Sequence, residues 1–235
     1  MLGGAPSPLG RPARHDVGRM PDDWTMDRRR LEAAAAEIVA AGRRLGSRGL
    51  IVAGEGNLSI RLDDRILVTP SGPRKDELSA ADLLLVPIDP EAPAEDPDRP
   101  GVRPTSDLRI HRAVYAARRD VDAVAHAHLP SSLALTLAGR IPDPAALPET
   151  RLFIPRLPYL PFMAMGSAEL AEAIAASLAD GLEPPAVAVL LERHGAVAVG
   201  SSLHAAVDRL ELVDLLCRVW RDALVLGLGS GPRTG

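Results

Sequence analysis

Aromatic side chains are scarce. Phe, Trp and Tyr together make up 3% of the 235 residues, against 46% apolar residues overall. A full-sized core is available, and it has to be built from Leu, Val, Ala and Ile. Cysteine is nearly absent: the single Cys217 excludes an intramolecular disulfide and fits a reducing compartment, so a cytoplasmic protein is expected. No apolar stretch approaches the roughly 20 residues of a membrane span. Arg11, Arg14 and Arg19 have no apolar segment behind them, so the N-terminus does not read as a secretory signal. Charge of one sign is not in excess either. A net charge of −4 points to neither a nucleic-acid nor a membrane partner.

What the chain does have is a mixture of helical and strand periodicities. Residues 1–24, rich in Gly, Pro and Arg, read as a disordered or loosely packed tail, 25–228 as a single domain and 229–235 as a flexible C-terminus. Leu31, Ala34, Ile38, Val39 and Gly42 give segment 25–45 a helical pattern, with Gly46 as its expected stop. Segments 60–62 and 66–69 read as a hairpin around Asp63-Asp64, Ser79 to Asp82 as a capping box, and 84–88 as a strand. The proline-rich acidic stretch 89–101 reads as a solvated loop. A helix is expected from Pro104-Thr105-Ser106-Asp107 to about Arg118, with Ser106 as its N-cap. A strand at 121–129 and a helix at 131–138 follow. Residues 140–165 are proline-rich and show few regular signals. Ser167 should cap a helix ending near Gly181, two strands should flank His194, and 203–226 should be an apolar helix buried on several sides, another subunit among its partners. Strands, helices and hairpins in this mixture predict an α/β/α sandwich with a largely antiparallel central sheet.

Three histidines carry the chemical signal. His126 and His128 form an H-x-H in an apolar strand pattern, where residues i and i+2 share a face and both imidazoles can reach one ion. His194 lies at a tight turn before Gly195. A site of that kind would leave coordination positions open for substrate, although spacing alone does not join His194 to the pair. Three turns offer donors suited to an anion: Gly56-Asn57-Leu58-Ser59, Thr69-Pro70-Ser71-Gly72, and Thr105-Ser106 at a helix start. Each is also ordinary turn chemistry.

The order of these motifs, G-N-x-S at 56–59, T-P-S-G at 69–72, P-T-S-D at 104–107 with His111 four residues on, H-x-H at 126–128 and R-H-G-A at 193–196, resembles the class II aldolase/adducin family. The resemblance covers roughly residues 27–228 and also takes in 119–126 and 162–166. It implies an α/β sandwich assembled as a homotetramer with active sites at subunit interfaces. It implies metal roles for His126, His128 and His194, with zinc as the expected ion and Mn2+ or Fe2+ as alternatives. Asn57, Ser71, Gly72, Thr105 and Ser106 fall on the family's phosphate-binding positions. The implied activity is a metal-dependent aldolase acting on a small phosphorylated sugar through an enediolate of the dihydroxyacetone phosphate type. An epimerase, dehydratase or decarboxylase on the same centre is the first alternative, and a non-catalytic adducin-like binding module the second.

The chain also departs from the fuculose-phosphate aldolases of that family. Asp107 stands where their acid/base glutamate does, so it is expected to be the catalytic base, a fourth metal ligand, or both. Leu147 aligns with their catalytic tyrosine, and only Tyr115 and Tyr159 are available as substitutes. His111, one helical turn after Asp107, reads as a buried structural histidine or as a residue that orients Asp107.

Overall fold

The computed structural model describes residues 22–94, 99–179, 181 and 183–227, with side chains from residue 28 onward. Helix α1 (Asp22–Ser47) starts within the stretch expected to be tail and runs past Gly46. Its stop is Gly49, at φ +66°, with Leu50 N–H returning to Leu45 O and Gly49 N–H to Gly46 O. Gly46 serves packing instead: a Cβ there would lie 2.5 Å from the Asp76 Cβ.

Seven strands form one sheet in the order β3-β2-β1-β4-β7-β6-β5. They are β1 (Asn57–Leu62), β2 (Arg65–Val68), β3 (Leu84–Pro87), β4 (Ala123–Ala127), β5 (Tyr159–Leu160), β6 (Ala188–Leu191) and β7 (Gly195–Gly200). Every pairing is antiparallel except β5 with β6. Helices cover both faces, as expected for an α/β/α sandwich. On one face α1, α3 (Pro130–Leu137) and α6 (Leu203–Val225) pack over Ala123, Ala125, Ala127, Ala188, Ala196 and Ala198. The small side chains let those helices approach closely. On the other face α2 (Leu108–Ala117) and α5 (Ala168–Leu178) pack over Val124, Val189, Leu191, Val197 and Val199. The alternation of alanine and valine along β4 and β7 thus separates two cores. His126 follows Val124 by two residues and so points toward the α2 side.

Two expectations need correction. Ser106 is not the N-cap of α2, whose cap is Asp107. Thr105 N–H bonds to Thr69 O and Pro104 bridges to Pro70, which ties the chain to the 69–70 segment through Thr105, and a turn at Ser106-Asp107 then leads into the helix. The stretch 140–165 is more regular than its prolines suggest: it holds a short 3-10 turn at Pro144–Ala146, helix α4 (Pro148–Phe153) and β5. Pro144 and Pro148 open these helical turns rather than breaking them, because a first-turn N–H has no intrahelical partner to lose. Helix α6 turns Leu210, Val213, Leu216 and Cys217 inward, while Val219, Leu224 and Val225 are exposed. Residues 1–21 and 228–235 lie outside the described residues. No helix among those described is long and apolar enough to cross a membrane.

Candidate active site and metal centre

The β4–β7 register sets Ala127 opposite Ala196, which brings the end of β4 beside the β6–β7 turn. His126 in β4, His128 just beyond it and His194 in the turn therefore converge. One ring nitrogen from each lies within 4.8 Å of the others. The ring centroids stand 5.1 Å (His126–His128), 4.8 Å (His126–His194) and 5.0 Å (His128–His194) apart. The backbone is bent to permit this, with Leu129 at φ +24° and Arg193 at φ +55° adjoining two of the histidines.

The donor chemistry fits a divalent ion. His126 Nδ1–H donates to Ala196 O at 2.9 Å, which leaves Nε2 as a bare acceptor. That atom, and both ring nitrogens of His194, are buried with no hydrogen-bond partner. Unpaired buried ring nitrogens clustered this closely are costly unless an electropositive group lies between them. Burial first, and then the neighbouring imidazoles, push the His126 and His194 pKa values down. The rings are held in the neutral form that a metal requires. His126, His128 and His194 are the residues that could hold the ion.

Asp107 lies beside this cluster, its Oδ2 4.0 Å from His126 Nε2 and its Oδ1 buried and unpartnered. A ladder of polar groups fixes it. Asp107, His111 and Tyr115 repeat every four residues along α2, a rise of about 6 Å, while Asn57 and Ser59 repeat every two along β1, a rise of about 6.7 Å. The two spacings nearly match, so the rungs meet. Asn57 Nδ2 donates to Asp107 Oδ2 at 2.9 Å, and His111 Nε2 to Asn57 Oδ1 at 2.7 Å. Ser59 Oγ lies 2.6 Å from His111 Nδ1 and 2.8 Å from Tyr115 OH. With His111 neutral, each proton has one direction: Tyr115 to Ser59, Ser59 to His111, His111 to Asn57, Asn57 to Asp107. Sequence reading had placed the Asn57 amide against phosphate; the structure places it between Asp107 and His111. Ser59, expected in an anion-binding turn, and Tyr115, a candidate substitute for the missing tyrosine, instead join this ladder, for which the i+4 and i+2 spacings are the available signal.

The other turns gather nearby. Ser71 N–H bonds to Arg103 O, and Thr105 Oγ1 accepts from Asp107 N–H. A Cβ on Gly54 would lie 2.2 Å from Gly72 O, so the turns at 54–57 and 71–72 are in direct contact. The Lys75 ammonium, buried, ties them together through Gly54 O and Pro73 O, both at 2.7 Å. The hydroxyl-bearing Ser71 and Ser106 are exposed, whereas Thr105 is buried. Leu147, at the start of α4, brings no polar group to the site. A separate cavity of about 660 Å3, lined by Phe153, Leu212 and Leu215 among others, contains none of the three histidines.

Residues 36–221 match the family model described as "Class II Aldolase and Adducin N-terminal domain". The chain is 32% identical over 200 residues to methylthioribulose-1-phosphate dehydratase of Acidiphilium cryptum, covering 79% of this chain and 89% of that protein. It is 33% identical over 192 residues to 3-oxo-tetronate 4-phosphate decarboxylase of Cupriavidus necator, covering 78% and 82%. The crystal structure of L-fuculose-1-phosphate aldolase from Thermus thermophilus superposes with a TM-score of 0.72 at 26% identity, over 85% of this chain and 97% of that one. The chain belongs to the class II aldolase and adducin N-terminal domain family and is an enzyme of the class II aldolase superfamily.

Proposed function

We propose that this protein is a metal-dependent lyase that moves a proton at the carbon next to a carbonyl of a small phosphorylated sugar, with loss of water as the net reaction. The observation that carries this reading is Asp107. It is a buried carboxylate at the rim of the three-histidine cluster, it is held by Asn57 through one oxygen, and its other oxygen is bare. An ion held by His126, His128 and His194 supplies Lewis acidity to the substrate's carbonyl and so acidifies the neighbouring C–H bond. Zinc suits this donor set, and Mn2+ or Fe2+ accept it as well.

Asp107 Oδ1 takes the proton from that carbon. The C–O bond at the next carbon then breaks, and the departing hydroxyl recovers the proton from the Asp107 carboxyl to leave as water. One carboxyl serves both transfers, and Glu55, a second carboxylate near the histidines, is engaged with His128 and Val52. Aldol cleavage asks for a further donor at the departing aldehyde oxygen. Leu147 stands at the tyrosine position that serves this in the fuculose-phosphate aldolases, and the Tyr115 hydroxyl is engaged with Ser59. Decarboxylation leaves Asp107 without a C–H proton to remove. The dehydratase and decarboxylase relatives support both non-aldol readings, and the likeness to the Thermus enzyme supports the aldolase as a second.

Ser71, Gly72, Thr105 and Ser106 are proposed to cradle the phosphate, and Asn57 to serve it only through its backbone. A homotetramer with sites between subunits is proposed on the exposed apolar residues Leu152 and Phe153 of α4 and Val219 and Val225 of α6. A cytoplasmic setting is proposed on the lone, buried Cys217. The deciding experiment incubates the metal-loaded protein with methylthioribulose 1-phosphate and with 3-oxo-tetronate 4-phosphate, and follows water loss, carbon dioxide release and aldehyde release separately. Water loss that requires Asp107 supports the proposal. Release of aldehyde or carbon dioxide alone replaces it with the corresponding alternative.

A further inference from the structure

We infer that Glu55 is a positioning residue for the metal centre: its carboxylate fixes the ring of His128 so that Nε2 faces the ion. Glu55 Oε2 lies 3.0 Å from His128 Nδ1. A carboxylate repels a lone pair and attracts an N–H, so this contact favours the tautomer with the proton on Nδ1, which leaves Nε2 as the bare donor atom. The other carboxylate oxygen, Oε1, accepts from Val52 N–H at 2.7 Å, so the side chain cannot swing away without losing that hydrogen bond and its close contact with the ring.

The surrounding backbone is shaped to put Glu55 there. Ala53 takes φ +54°, a conformation costly for a residue with a side chain. Gly54 has no room for a Cβ because Gly72 O would be 2.2 Å away. Gly56 sits at φ +70°, and a Cβ there would meet His126 O at 2.9 Å. The glycines on either side of Glu55 thus let one loop touch the 71–72 turn, the His126 strand and the His128 ring together. Among the described residues, four non-glycine positions have positive φ, and Ala53, Leu129 and Arg193 all adjoin this loop or a site histidine. The three imidazoles are oriented by different means: His126 by a backbone carbonyl, His128 by a carboxylate, His194 by no hydrogen bond at all. Glu55 is the charged one of these restraints, and it raises the basicity of the nitrogen opposite it.

This inference rests on the three histidines binding a metal. The test uses the full-length purified chain as wild type, Glu55→Ala, Glu55→Gln, His128→Ala and the Glu55→Ala/His128→Ala double variant. Zinc affinity is measured by competition with a chromophoric chelator. Glu55→Ala is expected to bind zinc 10- to 100-fold more weakly. Glu55→Gln should lose less, because its amide oxygen still accepts from Nδ1. In the His128→Ala background the Glu55→Ala change should have little further effect, which a merely structural loop role would not produce. Long-range 1H–15N spectra of the zinc-loaded wild type should show His128 protonated at Nδ1. Wild-type affinity in Glu55→Ala, or an undiminished penalty in the double variant, overturns the inference while the metal centre stands. A wild-type chain that binds no zinc overturns both.

Discussion

His111 Nε2 donates to Asn57 Oδ1 at 2.7 Å, and this one contact sets the direction of every proton behind Asp107. The ladder behind it needs a neutral imidazole, since a protonated His111 would have no acceptor for the Ser59 hydroxyl. Burial enforces that state and pushes the His111 pKa down to about 4. An unfolded histidine protonates near pH 6.5. Between these values the unfolded chain takes up a proton that the native state refuses, so stability is full above pH 6.5 and falls as the pH drops toward 4. The loss from His111 amounts to about 3 kcal/mol. His126 and His194 act in the same direction in metal-free protein. Urea unfolding of the metal-free chain at pH 7 and pH 5 should show about 2 kcal/mol of this loss from His111, and His111→Gln should reduce it. Equal stability at both pH values would contradict the buried neutral ring.

Asp107→Asn keeps the shape of the side chain and removes its basicity. Metal content should remain near that of the wild type, while turnover falls by about 10²- to 10⁴-fold. Paired metal analysis and rate measurement separate this from loss of the centre. A variant that loses its metal would make Asp107 a ligand first and a base second.

His126→Ala removes a buried acceptor and a third of the donor set. Zinc content after dialysis should drop to near zero, and turnover should drop with it. A metal-free variant with wild-type turnover would end the metal reading altogether.

Gly195 has φ +104°, and a Cβ there would lie 2.2 Å from Ala127 O and 2.5 Å from the His128 Cα. Gly195→Ala therefore forces β7 away from β4 just where the histidines meet. A stability loss of about 3 kcal/mol is expected from the strained φ and the clash together. Zinc affinity should fall as well, because His194 precedes the displaced residue. Denaturant midpoints and chelator competition read the two effects independently.

Cys217 is fully buried in α6, and burial pushes its thiol up to about 12. It should react with an aromatic disulfide reagent at pH 8 only as fast as the native chain opens, and at once in urea. Rapid labelling of the native protein would show that α6 is displaced.

The sandwich and its antiparallel sheet were legible because period-two alternation and hairpin turns are local signals. The prolines of 140–165 were misread because the same residue that breaks a helix interior also starts one, and sequence alone did not mark Pro148 as a first-turn position. Ser106 was misread for a similar reason. It has the side chain of an N-cap, but the bond from Thr105 to Thr69 delays the helix. The H-x-H was legible as a pair, and His194 was joined to it only through a family resemblance, since the join depends on the β4–β7 register. Glu55 gave no signal. Its contact with His128 crosses from the loop before β1 to the end of β4, and nothing in a G-E-G tripeptide announces a distant partner.

The pairing of β4 with β7 also bears on when the site comes into being. Between Ala127 and Gly195 the chain makes α3, α4, β5, α5 and β6 before it returns to lie beside His126. Pairings across so long a loop close late, after local hairpins and helices have formed. Until then the chain offers an ion only the H-x-H and, separately, His194. Zinc should therefore bind the unfolded chain weakly and the finished sheet tightly, and each tenfold of free ion above its Kd would add about 1.4 kcal/mol to the native state. The ion would act as a clasp at the central seam of the sheet, so metal starvation would be felt as loosened folding as well as lost turnover.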